Sequence, residues 1–257
     1  MPLGVLLDVQ GTLLSDVDKK PLPGAVAMVD YLNANAIPYC VITNNTKEKS
    51  EDFLEFLHQQ GLHVKHYLDP FMVLDKMVHT KEVLAFGPSA FEKVLTCKGY
   101  TTQSKAPKAL LIASDTAFDA NAFAGMIEAA LGGAAIIGMH GTSVYAKQGR
   151  KYPGVGAILA MLSYATSHET QVVGKPSPAF YATALAVLQA QDNTLSWENV
   201  RMISDDAKGD LLGAKALGMH TTLVLSGKCQ DAQEVAPLRQ SIDAVYSTLA
   251  DVLKEMR

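Results

Sequence analysis

Short apolar runs alternate along this chain with longer segments whose apolar residues recur at helical spacing. Residues 3–7 form the first run and predict a buried strand. In "PLPGAVAMVDYLNANAIP", Val26, Val29, Tyr31 and Leu32 lie close to one helical face, and Pro23 can open the helix. "PYCVITNN" predicts a second buried strand ending in polar residues. "TKEKSEDFLEFLHQQG" predicts a helix with Thr46 as N-cap, Phe53, Leu54 and Leu57 as apolar stripe, and Gly61 as stop. This β-α-β-α rhythm belongs to a parallel sheet with crossover helices.

The middle of the chain predicts a second unit, residues 80–170. "EVLAFG", "ALLIAS" and "AAIIGM" are its strands. "PSAFEKVLTCKG", "NAFAGMIEAALGG" and "GAILAMLSYATS" are its helices, and the polar, glycine-rich "HGTSVYAKQGRKYPGVG" reads as a loop. The first rhythm then resumes. "QVVGKPSP" is a strand with a loop, "AFYATALAVLQAQ" a helix, "VRMISDD" a strand, "GDLLGAKALGM" a helix, "HTTLVLSG" a strand, and "IDAVYSTLADVLKEM" an amphipathic closing helix. The expected organisation is α/β. A Rossmann-like parallel-sheet core, 1–79 and 171–257, is interrupted by an inserted α/β domain.

Composition narrows the classes. Of 257 residues, 48% are hydrophobic and 19% charged, with a net charge of -4, so no basic face invites nucleic acid. Cys40, Cys97 and Cys229 are odd in number and widely spaced, which argues against a disulfide framework or zinc site and fits a reducing cytoplasm. No apolar run reaches membrane-spanning length, and no signal-peptide pattern opens the chain, so no membrane partner is expected.

In an open parallel sheet, ligands bind beyond the carboxyl ends of the strands. Four predicted strand ends carry polar groups there: Asp8 with Gln10, Thr43 with Asn44, Lys175, and Asp205 with Asp206 and Asp210. Each alone also fits a turn residue, a helix cap or a solvated cation. Together they form an inventory for phosphoryl transfer. A carboxylate can attack phosphorus and form an aspartyl phosphate, but its charge repels the incoming anion unless a hard cation intervenes. Mg²⁺ is held by one or two carboxylates plus neutral oxygens and water. Asp8, Asp205 and the backbone carbonyl of Gln10 would supply that set. Thr43, backbone N–H groups and Lys175 would hold the remaining phosphate oxygens.

"DVQGT", "VITNN", "VVGKPSP" and "MISDDAKGD" resemble the four ordered motifs of haloacid dehalogenase-like phosphatases. A middle unit between the second and third motifs resembles the subclass with a large α/β cap (type C2, subclass IIA), which includes nitrophenyl-phosphatase and NagD-like enzymes. "VVGKPSPAFYATAL", "DDAKGDLLGAKALGM" and "VYAKQGRKY" are most similar to the group around phospholysine phosphohistidine inorganic pyrophosphate phosphatase and its haloacid dehalogenase-like domain-containing relatives. The resemblance makes Asp8 the nucleophile and Thr43 the phosphate-binding hydroxyl, with Asn44 beside it. Lys175 becomes the lysine holding nucleophile and phosphate, Asp205 the Mg²⁺ ligand, and Asp210 the second acid of that motif. Tyr145 and Lys147 match polar cap positions. His140 either reaches a substrate or hydrogen-bonds within its own turn. A small phosphorylated substrate is implied, and cap-to-cap homodimers occur in the subclass.

Two positions depart from the wider pattern, which has Asp at Gln10 and glycine at Ser204. The second Asp normally protonates the leaving group and activates water, help worth roughly 10² to 10⁴ in rate. An amide cannot exchange a proton at neutral pH. Slow turnover of alkyl phosphates is therefore expected, with less loss on pyrophosphate, acyl, aryl or nitrogen-linked phosphates. The alternative is a phosphate-binding or regulatory protein of the same fold with impaired catalysis. A phosphotransfer receiver domain also uses Asp, Thr and Lys, but the inserted unit and the late acidic motif argue against it.

Overall fold

The computed structural model describes residues 3–147 and 150–257; the side chains of Ala146, Lys147, Ala232 and Glu234 are outside that description. The chain forms two compact units, one of residues 1–43, 51–68 and 178–257, the other of 44–50 and 69–177.

The first unit is built on a six-stranded parallel sheet. In chain order its strands are β1 (Gly4–Asp8), β2 (Tyr39–Ile42), β3 (Tyr67–Leu68), β10 (Val200–Ser204), β11 (His220–Val224) and β12 (Ala244–Tyr246), arranged β12-β11-β10-β1-β2-β3. Every residue of β1 is buried, because both sheet faces are covered. Val5, Leu7, Val41, Ile203 and Val224 pack into one core with Met28 and Leu32 of α1 (Ala25–Ala34), Phe53 and Leu57 of α2 (Ser50–Gln59), and Val252 of α9 (Leu249–Met256). On the other face, a Cβ built on Gly4 would touch Leu188 of α7 (Pro178–Gln189), the helix that also buries Phe180, Tyr181 and Ala184.

The second unit has its own parallel sheet, β4-β5-β6-β9, of Val83–Phe86, Ala109–Ile112, Ala135–Gly138 and Thr170–Val172. Leu110, Ile112 and Ile136 pack with Met126 of α5 (Ala120–Leu131) and with Ile158, Leu159 and Leu162 of α6 (Val155–Thr166). α3 (Pro70–Met77) starts on Asp69, whose Oδ1 accepts the Met72 N–H at 3.2 Å, with Pro70 at the first helical position. Phe71 of α3 stacks with Phe91 of α4 (Ser89–Cys97) at 6.0 Å between centroids.

Four sequence expectations give way here. The segment 140–156 is not all loop: β7 (Val144–Lys147) and β8 (Arg150–Pro153) pair antiparallel, with Tyr145 opposite Tyr152. "QVV" does not resume the core sheet, because β9 pairs with β6 of the second unit. The closing helix begins at Leu249, and Ala244–Tyr246 ahead of it extends the core sheet along β11. Thr46 does not cap α2, which starts at Ser50; Asn45 Oδ1 instead accepts the Lys47 and Glu48 N–H groups and turns the chain before the helix. Among the described residues, no helix is long and apolar enough to cross a membrane.

Candidate active site

The core sheet's strand order turns around at β1, which has β2 on one side and β10 on the other. A crevice beyond the strand ends is favoured at such a switch point. The register pairs Asp8 with Ile42 and Leu7 with Ile203, so Thr43 and Asp205 follow at the same edge. Asp8, Thr43, Asp205 and Asp210 are all buried, none more than 5% exposed.

After β1 the chain makes a tight turn, with the Leu13 and Leu14 N–H groups both donating to Val9 O, at 2.9 and 2.8 Å. Gly11 sits in it at φ +75°, and a Cβ there would lie 2.1 Å from Asp205 Oδ2. The Asp205 N–H donates to Thr12 Oγ1 at 3.0 Å, and Ser226 Oγ donates to Gly11 O at 2.7 Å. Beyond β11, Gly227 approaches the same carboxylate so closely that a Cβ would stand 2.0 Å from Oδ2, and the Lys228 N–H donates to that oxygen at 2.6 Å. Two segments, 11–12 and 226–228, thus clasp Asp205 between them.

The neighbouring acids have separate partners. Asp206 Oδ1 accepts the Gly209 N–H at 2.7 Å and caps a π-turn, Ala207–Leu211, that leads into α8 (Leu212–Ala216). The Lys228 ammonium pairs with Asp206 Oδ2. Asp210 Oδ2 accepts the Ser204 hydroxyl at 2.7 Å, and Ser204 Oγ in turn accepts the Asp206 N–H at 3.0 Å. The buried Tyr181 hydroxyl donates to Asp210 O at 3.0 Å. At the β2 end, the Thr43 hydroxyl donates to Gln10 Oε1 at 2.8 Å.

Burial pushes the Asp205 carboxyl well above the usual carboxylate range, and the charge of Asp8 pushes it further, with Asp206 and Asp210 adding to the effect. The Lys228 N–H works against this rise. Burial disfavours the Lys228 ammonium, yet Asp206 outweighs it and the group titrates above the ordinary lysine range. A carboxyl whose charge is disfavoured by burial and by a neighbouring carboxylate suits a divalent cation, which relieves both causes. Among the described residues, no group of three or more His, Cys, Asp or Glu side chains forms a metal cluster. Mg²⁺ does not demand one, since it takes one or two carboxylates with carbonyl and water oxygens. Asp8, Asp205 and the Gln10 carbonyl fit that requirement in kind.

The remaining expected site residues belong to the second unit. There the Lys175 N–H donates to Asn44 Oδ1 at 2.9 Å, and Lys175 is buried. His140 is also buried; Nδ1 accepts the Thr142 N–H at 3.4 Å and Nε2 lies 3.2 Å from Ser114 Oγ. The Tyr145 ring stacks on Tyr152 at 5.6 Å, and its buried hydroxyl has no hydrogen-bond partner among the described residues. The Lys147 side chain lies outside the described residues. Sequence reasoning missed Thr12, Ser226, Gly227 and Lys228. The signal for the last three was a Ser-Gly-Lys run at the end of the predicted strand "HTTLVLSG", where each core strand end faces the same edge.

Comparison with known proteins agrees with this architecture. A family model described as haloacid dehalogenase-like hydrolase matches residues 5–101, and a second, HAD-hydrolase-like, matches 172–252. Mouse haloacid dehalogenase-like hydrolase domain-containing protein 2 is 28% identical over 233 residues, covering 90% of this chain and 86% of that protein. Acid sugar phosphatase of Staphylococcus aureus (strain USA300) is 28% identical over 235 residues, covering 86% of each. The p-nitrophenyl phosphatase from Archaeoglobus fulgidus superposes with a TM-score of 0.83 at 22% identity, covering 99% of both chains. The chain therefore has the haloacid dehalogenase-like hydrolase fold, an α/β parallel-sheet core with an inserted cap domain. NagD from E. coli K-12 shares that fold, with a TM-score of 0.78 at 20% identity, covering 98% of both chains.

Proposed function

We propose that this chain is a Mg²⁺-dependent phosphohydrolase of small phosphorylated molecules, working through an aspartyl phosphate on Asp8. The observation that carries the reading is the burial of Asp8 and Asp205 at one sheet edge, beside the Thr43 hydroxyl. Membership of the large-cap subclass, with 80–170 as cap, is part of the proposal, as is the likeness to the group around phospholysine phosphohistidine inorganic pyrophosphate phosphatase. The roles of Lys175 and Asn44 rest on the sequence pattern alone.

When bound by Asp8, Asp205 and the Gln10 carbonyl, Mg²⁺ would screen the nucleophile's charge from the incoming phosphate. Asp8 attacks phosphorus, and the leaving group departs with the bonding electrons. A single O–H cannot donate twice, so Thr43 turns from Gln10 Oε1 to a phosphoryl oxygen as substrate arrives. Gln10 then offers a hydrogen bond to the leaving group but no proton to transfer. Substrates whose leaving groups need protonation suffer most.

The test is a substrate panel with Mg²⁺. Acetyl phosphate, pyrophosphate and aryl phosphates should turn over faster than sugar phosphates, and Gln10→Asp should raise the sugar-phosphate rate about 10²-fold or more. Equal rates across the panel would sink the leaving-group account. Metal-dependent phosphate binding with no release above background would favour the impaired, phosphate-binding alternative.

A further inference from the structure

We infer that Tyr181 is a positioning residue of the metal site: its hydroxyl fixes the π-turn that follows Asp205, and so steadies the carboxylate that Mg²⁺ needs. The assignment rests on the phosphohydrolase reading above and extends its Mg²⁺ site to a side chain on α7.

α7 is almost wholly apolar, PAFYATALAVLQ, and its two adjacent rings, Phe180 and Tyr181, are both fully buried. Phenylalanine would fill the second position as well as it fills the first. The sequence puts a hydroxyl there, and a buried phenol must find a partner. It finds Asp210 O at 3.0 Å. Burial, and then the charges of Asp210, Asp8 and Asp206, push the Tyr181 hydroxyl well above its usual range. It therefore stays protonated and remains a donor, near enough to the site to feel the charge of Asp8.

The carbonyl it holds belongs to an unusual turn. Residues Ala207–Leu211 are π-helical, and Asp206 O accepts both the Asp210 N–H at 3.0 Å and the Leu211 N–H at 3.2 Å. Such turns are rare and recur at functional sites. Asp210 is gripped at both ends, its carbonyl by Tyr181 and its carboxylate by the Ser204 hydroxyl at 2.7 Å. Asp206 donates its N–H to Ser204 Oγ and accepts the Gly209 N–H, and a Cβ on Gly209 would stand 2.4 Å from Asp206 Oδ2. Asp205 is the residue just before these contacts. The Ser204 and Asp206 bonds are local, whereas Tyr181 ties the turn to a separate helix, 29 residues away in the chain. With the hydroxyl removed, the turn loses that anchor to α7 and Asp205 is held less firmly.

The experiment is Mg²⁺ titration of the full chain, read by thermal shift, for the parent, Tyr181→Phe and a control, Tyr39→Phe. Tyr39 is another buried tyrosine of the first unit. Its hydroxyl donates to Asn33 Oδ1 and accepts the Lys65 N–H, but it opens β2, at the end opposite Thr43. Tyr181→Phe should raise the half-saturating Mg²⁺ concentration by about 10-fold, the low end for partners that orient a metal ligand. Tyr39→Phe should keep the parental value while losing stability. In 4-nitrophenyl phosphate hydrolysis by Tyr181→Phe the same rise in Mg²⁺ requirement should appear, with most of the parental kcat recovered at saturating Mg²⁺. Parental half-saturation in Tyr181→Phe, an equal rise in Tyr39→Phe, or a Tyr181→Phe chain that does not fold would mark the hydroxyl as structural. Each of these would overturn the inference and leave the phosphohydrolase reading standing. A parent with no Mg²⁺-dependent shift would overturn both.

Discussion

The backbone N–H of Lys228 lies 2.6 Å from Asp205 Oδ2, while its ammonium pairs with the adjacent acid, Asp206. One residue thus orients one carboxylate through its main chain and neutralises the next through its side chain. Lys228→Met should remove only the second contact. With the lysine side chain 40% exposed, the loss should be about 1 kcal/mol, a fall of roughly 2–4 °C in Tm that narrows at high salt. An unchanged Tm at low salt would show that the pair contributes nothing.

Gly227 is the tighter constraint. A methyl group there would overlap Asp205 Oδ2 and approach Gly11 Cα to 2.6 Å, so Asp205 or the whole clasp must shift. Gly227→Ala should destabilise the fold by about 1–3 kcal/mol. It should also weaken Mg²⁺ binding by about 10- to 100-fold, the usual consequence of disturbing a ligand's support. Metal titration followed by thermal shift reads this without substrate; an unaltered half-saturation would refute the clasp's role.

Ser204 stands where the wider family pattern has glycine, and its fully buried hydroxyl joins the Asp206 N–H to Asp210 Oδ2. Ser204→Ala removes both bonds, at an expected loss of about 1–3 kcal/mol. Chemical denaturation measures it. A variant as stable as the parent would mean that neighbouring groups take over both partners.

Much of this was legible in the chain. The apolar runs that end at Asp8, Thr43 and Asp205 became core strands reaching one edge, because buried parallel strands are continuous apolar runs with one functional edge. Lys175 shows where reading fails: its strand looks like the others, but periodicity cannot say which sheet a strand joins, and β9 joined the second. The β7–β8 hairpin was hidden because its strands are only four residues each, VYAK and RKYP, within a stretch rich in glycine and polar residues. Gly227 and Lys228 were passed over because Gly227 reads as the tail of the strand "HTTLVLSG", and only the neighbours across the sheet bring the pair against Asp205.

In the second unit, burial works to raise the pKa of Asp75, but hydrogen bonds from Lys81, Tyr100 and Lys98 outweigh it and bring the carboxyl down to about 2. A group whose folded pKa is depressed stabilises the fold above its unfolded value, near 3.8, and loses that contribution as pH falls toward 2. The side chain is 51% exposed, so screening keeps the effect modest. Asp75→Asn should lower Tm at pH 7, and the gap from the parent should close as pH falls from 4 toward 2. A gap that stays constant over this range would rule out the charge as its source.

The most direct measurement of the central claim is Mg²⁺-dependent phosphate release from 4-nitrophenyl phosphate by the parent chain and by Asp8→Asn, with folding of both verified by circular dichroism. Asp8 as nucleophile predicts release by the parent, its loss on chelation, and a fall to the enzyme-free background in the variant. A folded Asp8→Asn protein that hydrolyses the ester at the parental rate would contradict it.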